Sequence, residues 1–175
     1  QLRKIINGFR QMKPMKNFLL GNGVIKMARW AVVKDSMRCH EGEIRLPERA
    51  TECSGGYDFF SPCNVTILPH SKSLIMTDVK AYFESNQELL LNVRSSQGIK
   101  HGIILANTQG WVESDFADNP QTDGNIGFCL FNTSDKPYEI HKGDKIGQAM
   151  LIHYDTFENG NTNVKRMGGI GSTGR

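Results

Sequence analysis

The sequence predicts an all-β barrel or sandwich. Short segments in which apolar and polar residues alternate recur along the chain, and clusters of Gly, Asn, Asp, Ser and Pro separate them. Glycine supplies 18 of the 175 residues, which is above the average of about 7% and suits a protein with many turns. The length is that of one domain with enough chain to bury a core.

The expected strands follow one another in chain order. A first strand is expected at residues 28–33, although the sequence before Pro47 is ambiguous. From about residue 50 the β pattern is clear. The remaining strands are expected at residues 64–68, 73–76, 88–93, 101–105, 125–132 and 145–153. No internal repeat or low-complexity tract interrupts this series, so the alternation alone defines the fold class.

The composition excludes several classes of protein. No run of about 18 or more apolar residues is present, so no membrane-spanning helix is expected. The 4 cysteines are too few for a disulfide scaffold, and no Cys-x-x-Cys pair offers a zinc site. We therefore expect free thiols in a reducing cytoplasm.

Charge is distributed unevenly. Residues 1–49 carry 11 Lys and Arg against 4 Asp and Glu, whereas the remaining residues carry 10 against 14. A basic arm could bind nucleic acid or an anionic surface, but a solvated extension is the simpler explanation, and nucleic-acid binding is not expected. We expect a basic, partly disordered extension at residues 1–45, a β domain at residues 46–165 and a mobile, glycine-rich C-terminal arm at residues 166–175.

Two segments carry groups suited to an anionic ligand and its metal ion. Two consecutive glycines and an aromatic residue allow a sharp turn that presents Asp58, whose carboxylate suits a metal ion or its water shell. Arg94, Ser95 and Ser96 follow an apolar strand, where a guanidinium group, two hydroxyls and free backbone N–H groups suit a phosphate. Taken singly, each segment also fits an ordinary turn or strand end.

Residues 101–116 are predicted to form a hairpin. An apolar arm leads to a turn that contains Asn107 and Gly110, and a second arm brings Glu113 and Asp115 two positions apart. In a strand these two carboxylates face the same side. They are too close for two independent acid–base roles, so one is expected to be a base and the other structural.

Two further segments lie near the C-terminus. Gln148 follows a Gly-Asp turn and can both donate and accept hydrogen bonds in a polar site. The C-terminal arm begins with Arg166 and continues with four glycines in residues 168–174, together with Ser172 and Thr173. Glycines permit close backbone approach, and the hydroxyl, N–H and guanidinium groups suit phosphate oxygens. The arm lacks the lysine and the following helix of a P-loop.

In this order and spacing, the five segments resemble the five ordered motifs of the trimeric dUTP diphosphatase (dUTPase) family, over residues 50–174. The most specific matches are the Ala-Thr and Ser-Gly-Gly-Tyr-Asp residues of segment 50–58 and the glycine-rich residues 168–174. Residues 118–124 resemble an insertion seen in some bacterial and phage members. The resemblance implies a distorted jelly-roll β-barrel and a homotrimer whose three chains share each active site. One chain supplies the first, second and fourth motifs, a second the hairpin, and a third the C-terminal arm.

The resemblance further implies hydrolysis of dUTP to dUMP and pyrophosphate. Mg²⁺ would bind the triphosphate oxygens, and Asp58 would reach it through metal-bound water. Glu113 would orient and deprotonate the water that attacks the α-phosphorus. The remaining phosphate contacts fall to Arg94, Ser95, Ser96 and Gln148.

Nucleoside recognition is assigned by the same resemblance. Asn107 and the backbone from Gly110 to Val112 would bind the uracil edge, which differs from cytosine in its hydrogen-bonding groups. Phe116 would pack on the deoxyribose and exclude a 2′-hydroxyl. The C-terminal arm would close over the substrate through Arg166, Ile170, Gly171, Ser172 and Thr173.

Three residues depart from the family pattern and keep alternatives open. Glu113 stands where the family has Asp, Phe116 where it usually has Tyr, and Ile170 where it has Phe. A longer carboxylate shifts by about 1 Å, a misplacement that can cost roughly 100-fold in rate. One alternative is therefore a dUTP-binding regulatory protein with weak turnover. A dCTP deaminase, related in fold, is a further alternative that the glycine-rich arm disfavours.

Overall fold

The computed structural model describes residues 28–160 and 163–169. Twelve strands account for most of the regular structure: β1 Arg29–Val32, β2 Glu48–Arg49, β3 Gly56–Phe60, β4 Val65–Ile67, β5 Lys72–Met76, β6 Val79–Tyr82, β7 Gln87–Asn92, β8 Ile103–Leu105, β9 Gly110–Glu113, β10 Gly127–Asn132, β11 Tyr138–Ile140 and β12 Lys145–His153. The helix α1 spans Ser95–His101, and short 3₁₀ turns span Asp35–Met37 and Ser114–Phe116.

The strands form antiparallel sheets that confirm the predicted all-β class. A five-stranded sheet has the order β2-β3-β12-β7-β9, and a three-stranded sheet has the order β5-β10-β8. The remaining strands form the pairs β1-β6 and β11-β4. This is a jelly-roll-like arrangement, but the described strands lie in separate sheets and do not close into one continuous barrel.

The core lies between the two larger sheets, where apolar side chains alternate with outward-facing ones. Phe59 on β3 and Phe128 on β10 meet with ring centroids 5.1 Å apart. Leu89 and Leu91 on β7 are buried, whereas Glu88 lies on the other face of the same strand. This alternation leaves one face of the five-stranded sheet available for polar groups. No described helix is long and apolar enough to span a membrane.

Each strand predicted from residue 64 onward is present, with ends that differ by a few residues. The sequence missed β2, β3, β6 and β11, and it also missed α1, which begins where we expected a polar strand end. The two arms of the predicted hairpin are present but do not pair with each other. Instead, β8 pairs with β10 and β9 pairs with β7, so the arms belong to different sheets.

The N-terminal boundary of the domain lies earlier than residue 46. Strand β1 pairs with β6, with Trp30 opposite Ala81. The Trp30 ring also packs edge-on against Phe59 at a centroid distance of 5.3 Å. Residues 29–32 therefore belong to the β domain rather than to a separate extension. Residues 33–45 of the predicted basic extension are described as well, whereas residues 1–27 lie outside the described residues.

A buried ion-pair network joins β6 to the loop of residues 118–124, here called the 118–124 loop. The Lys80 ammonium lies 2.6 Å from Asp118 Oδ1 and 2.8 Å from Asp123 Oδ2. Burial of Asp123 favours its neutral form, but Lys80 and Lys34 outweigh this effect and lower its pKa. The hydrogen bond from Lys80 likewise lowers the pKa of Asp118. This network fixes the loop on the domain.

Replacement of Lys80 tests this network. Lys80→Met should lower the free energy of unfolding by about 3–5 kcal/mol at pH 7, because it leaves Asp118 and Asp123 without their shared cation. Carboxyls with lowered pKa values stabilise the parent above about pH 4 and lose that contribution as the pH falls. The penalty should therefore shrink at pH 3.5. Urea unfolding at both pH values measures it.

The exposed Lys136 provides the matched control, since Lys136→Met should change stability by no more than about 0.5 kcal/mol. An equal penalty for Lys80→Met at pH 7 and pH 3.5 would contradict the assigned ion-pair network.

Candidate active site

The first cluster of predicted site residues lies on the outward face of the five-stranded sheet. Asp58 on β3 is directly opposite Gln148 on β12, and Gln148 is opposite Asn92 on β7. Directly opposite residues share a face of the sheet. Asp58 is 4% exposed, and its Oδ1 lies 3.0 Å from Arg94 Nε. The first, second and fourth predicted motifs therefore converge within one chain.

Arg94 precedes α1, so Ser95 and Ser96 lie in the first turn of a helix rather than at a strand end. Backbone N–H groups in a first helical turn lack partners within the helix. The Gln97 side chain accepts a hydrogen bond from Arg94 N at 2.9 Å and donates one to Ile146 O at 3.2 Å. These bonds fix α1 on β12 and hold the Arg94–Ser96 segment beside Asp58.

A cavity of about 480 Å³ forms the second cluster. It lies against the outward face of the three-stranded sheet, where Leu74 on β5 and Cys129 on β10 are directly opposite each other. Most of its lining residues are apolar or glycine, and five carry charged or amide side chains, as in pockets that take a small organic ligand. Six of the predicted site residues line it: Asn107, Gly110, Val112, Glu113, Phe116 and Arg166.

Close backbone packing shapes one wall of this cavity. A Cβ atom added to Gly110 would lie 2.9 Å from Leu91 Cβ, which is too short for an ordinary contact. Thr108, between Asn107 and Gly110, has φ 63°, an uncommon conformation for a β-branched residue. The turn is thus strained where it borders the cavity, a property typical of functional loops.

Two carboxylates share one guanidinium group at the cavity. Arg166 Nη2 donates to Glu113 Oε2 at 2.7 Å, and Arg166 Nε donates to Asp115 Oδ1 at 2.8 Å. The Arg166 side chain is 10% exposed, whereas that of Glu113 is 46% exposed. Glu113 and Asp115 therefore do face the same side, as predicted. One prediction differs from the structure. Arg166 was expected to contact phosphates, but it lies on Glu113 and Asp115 and not in the first cluster, which contains Asp58 and Arg94.

Sequence reasoning missed two charged residues of these clusters. Lys145 Nζ lies 2.7 Å from Asp58 Oδ2, which puts a second cation beside Arg94. Glu88 on β7 is directly opposite Glu113 on β9. Burial and the charge of Glu113 both raise the pKa of Glu88. Contacts between neighbouring strands bring these residues together, and no local pattern in the sequence predicts such contacts.

The two clusters are separated along β7. Gln148 is opposite Asn92, whereas Glu113 is opposite Glu88, four residues away. At about 3.3 Å per residue, the two positions are roughly 13 Å apart. Trp111, directly opposite Leu90, lies between them and is 52% exposed. Among the residues that the structure describes, no member of the first cluster lines the cavity.

The first cluster offers little to a metal ion from protein groups alone. Within residues 28–160 and 163–169, no group of three or more His, Cys, Asp or Glu side chains is arranged to hold one. Both oxygens of Asp58 are close to cations. A single carboxylate suits an ion that keeps its water molecules and takes its other oxygens from a phosphate ligand, as Mg²⁺ does.

Residues 42–174 match the family model described as dUTPase. The chain is 33% identical over 133 residues to the deoxyuridine 5'-triphosphate nucleotidohydrolase of Lactococcus lactis subsp. lactis (strain IL1403), covering 75% of this chain and 89% of that protein. It is 31% identical over 134 residues to the enzyme of the same name from Helicobacter pylori (strain P12), covering 74% and 88%.

Solved structures give the same result for the fold. The dUTPase of Streptococcus mutans superposes with a TM-score of 0.67 at 27% identity, over 74% of this chain and 98% of that one. The dUTPase of phage phi11 of S. aureus superposes with a TM-score of 0.61 at 22% identity, over 79% and 98%. That phage structure is described as containing a structural Mg(II) ion.

The close contact at Gly110 yields a stability prediction. Gly110→Ala should destabilise the protein by about 1–3 kcal/mol, because the new methyl group overlaps Leu91. Gly98→Ala is the matched control, since its methyl group would meet its nearest neighbours at 3.7 Å and 3.9 Å and would favour the helix. Thermal unfolding measures both variants. A Gly110→Ala variant as stable as the parent would contradict this packing.

Proposed function

The chain belongs to the dUTPase family, and from that premise we propose that it hydrolyses dUTP to dUMP and pyrophosphate. The observation that carries the proposal is the cavity of about 480 Å³, whose lining is mostly apolar and includes Glu113 and Arg166. Such a cavity suits a nucleoside whose phosphates extend towards charged groups. The Glu113 carboxylate, held beside Arg166, is the acid–base group of this cavity.

The reaction requires one water molecule and one base. Glu113 accepts a proton from water as the water oxygen attacks the α-phosphorus, and the bond from that phosphorus to the bridging oxygen breaks. Pyrophosphate leaves with the electron pair of that bond, and the new P–O bond completes dUMP. Arg166 Nη2 donates to Oε2 of Glu113. A triphosphate beside Glu113 competes for that guanidinium, and its binding frees Oε2 to accept the proton.

Residues that line the cavity recognise the uracil and the deoxyribose. We assign the uracil edge to Asn107 and to the backbone between Gly110 and Val112, because fixed hydrogen-bonding groups discriminate strongly between bases. Phe116 lines the same cavity and is 8% exposed, so it can pack against the sugar and leave no room for a 2′-hydroxyl.

Triphosphate binding falls to the other cluster, through Arg94, Ser95, Ser96 and Gln148. These residues lie roughly 13 Å along β7 from the position of Glu113 in the same chain. A base must lie within about 3.2 Å of the proton donor it acts on, directly or through one water. This separation supports a homotrimer in which one chain supplies the phosphate cluster and a neighbour supplies the cavity.

An apolar stripe supports the same assembly. Trp111 is 52% exposed and Met150 is 45% exposed, and both lie level with Leu90 between the two clusters. Exposed apolar surface of this kind is typical of protein–protein interfaces. Packing of a second chain on this stripe would bring the phosphate cluster of one chain next to the cavity of another.

Mg²⁺ is proposed as the cofactor, with Asp58 accepting hydrogen bonds from its water molecules. When bound, the ion neutralises phosphate charge and orients the triphosphate. The side chains of Arg94 and Lys145 on either side of Asp58 add two further cations for the same anion. We place the reaction in the cytoplasm, because the four free cysteines suit a reducing compartment.

The C-terminal arm is proposed to close over the phosphates through Arg166, Ser172 and Thr173. Ile170, Gly171 and these last two residues lie outside the described part of the chain. The absence of an aromatic side chain at position 170 removes base stacking worth about 1–3 kcal/mol where it occurs. Nucleic-acid binding by residues 1–27 is still not expected.

A dUTP-binding regulatory protein with weak turnover is the second candidate. The contact between Arg166 and Glu113 favours it, because the guanidinium occupies Oε2 of the proposed base. The turnover number for dUTP separates the two candidates, and a burst of a single turnover or none would favour the regulatory function.

Substrate preference tests the proposed function. With Mg²⁺, release of pyrophosphate should be fastest from dUTP and at least about 100-fold slower from dCTP and UTP, because the backbone of the cavity rejects cytosine and Phe116 excludes the 2′-hydroxyl. A pyrophosphate-release assay on each nucleotide, including dTTP, measures the preference. Comparable rates for dUTP and dCTP would contradict the assigned recognition.

Glu113 is tested by substitution of its carboxylate. Glu113→Gln should lower kcat by a factor of about 10²–10⁴ and leave dUTP binding nearly unchanged, because the amide is isosteric but cannot accept a proton. Asp115→Asn is the matched variant and should retain most of the activity. If instead Asp115→Asn abolishes turnover and Glu113→Gln does not, Asp115 is the base.

A further inference from the structure

The C-terminal arm contacts the domain at two places rather than one. The Arg166 guanidinium lies on Glu113 and Asp115. Two and three residues later, Gly168 and Gly169 are buried, although Val164 and Met167 nearby are 83% and 68% exposed. A glycine-rich segment has little side-chain surface of its own to bury, so this burial requires a surface that receives the backbone.

The receiving surface is the 118–124 loop. A Cβ atom added to Gly169 would lie 2.9 Å from Thr122 Cγ2 and 3.3 Å from Thr122 Oγ1. The Gly169 N–H also points at Gln121 Oε1, at 3.4 Å. Only glycine fits this approach without a shift of Thr122. The contact is therefore specific to the residue type found at position 169.

The loop is rigid enough to act as a docking surface. The Asn119 side chain bonds Phe116 O at 2.7 Å and Thr122 Oγ1 at 2.8 Å, and its Oδ1 accepts from Gln121 N and Thr122 N. Lys80 holds both ends of the loop through Asp118 and Asp123. The two residues that meet Gly169 are thus fixed to the same wall of the cavity that contains Phe116.

Resting on the proposed function, we propose that the 118–124 loop docks the C-terminal arm and that Thr122 and Gln121 are positioning residues for Arg166. Three residues span at most about 10 Å, so a docked Gly169 keeps Arg166 within reach of Glu113 and of a phosphate beside it. An arm from a neighbouring copy would make the same contacts, because exchange of an identical segment preserves its interface.

A steric double-mutant cycle tests the docking. Gly169→Ala places a methyl group against Thr122, and Thr122→Ser removes the nearest atom while keeping the hydroxyl that bonds Asn119. The backbone at Gly169 has no positive φ, so alanine introduces overlap without backbone strain. Gly160→Ala is the matched control, since its methyl group would meet Phe157 at ordinary distances of 3.6 Å and 3.9 Å.

Limited trypsin digestion reports docking without any substrate. Cleavage after Arg166 releases residues 167–175, and it should be slow in the parent because the Arg166 side chain is 10% exposed. Gly169→Ala should accelerate release at least about fivefold, since overpacking of this size shifts such equilibria by that order. The double variant should return to within about twofold of the parent, and Gly160→Ala should match the parent. Mass spectrometry follows the release, and thermal unfolding should be the same for all variants.

Two results would overturn the proposal. If Gly169→Ala releases the arm no faster than Gly160→Ala, the loop does not hold the arm. If Thr122→Ser fails to slow the release from the Gly169→Ala background, Thr122 is not the docking partner. With dUTP as substrate, Gly169→Ala should also lower kcat/KM by about fivefold, and Thr122→Ser should rescue it. If the variants change the rate of arm release as expected but do not change kcat/KM for dUTP, the docking is supported and the proposed function is contradicted.

Discussion

The pairing of strand β7 with its two neighbours determines where the first cluster and the cavity lie. It pairs with β12 on one side and with β9 on the other, and its register places Gln148 beside one end and Glu113 beside the other. Since a strand advances about 3.3 Å per residue, the charged ends of the sheet cannot meet within a chain. The same register lines up the apolar residues between them. The separation of the first cluster from Glu113 and the exposed apolar surface between them therefore both follow from the register of β7 with β12 and β9.

The charge balance at the cavity follows from the position of Arg166. One guanidinium serves Glu113 and Asp115, and its side chain also lies 5.8 Å from the centre of the Phe116 ring. The arm and the proposed base, Glu113, are therefore coupled, because whatever draws Arg166 away changes the environment of Glu113. A polyanionic ligand is the natural competitor for such a cation. The Asp115 carboxylate is a second hydrogen-bond acceptor for Arg166 beside Glu113.

The sequence predicted the fold class and most strands because alternation of apolar and polar residues is a local signal. It missed β3, which has buried residues at three consecutive positions, and α1, whose seven residues are too few for a helical period to appear. The family resemblance, rather than the local pattern, assigned Asp58, Arg94 and Gln148 to one chain and the hairpin and the arm to two others, whereas the structure places Arg166 on the hairpin carboxylates. Lys145 and Glu88 were missed, because cross-strand register, rather than sequence spacing, brings them to Asp58 and Glu113.

Subunit complementation tests the proposed trimer with shared active sites most directly. Chains carrying Glu113→Gln and chains carrying Arg94→Gln should each form inactive trimers, since each lacks one half of every site. Refolded together in equal amounts, they should recover about a quarter of the parent rate, because random assembly gives that share of sites an intact Arg94 from one chain and an intact Glu113 from a neighbour. A mixture as inactive as its two components would contradict a site built from different chains.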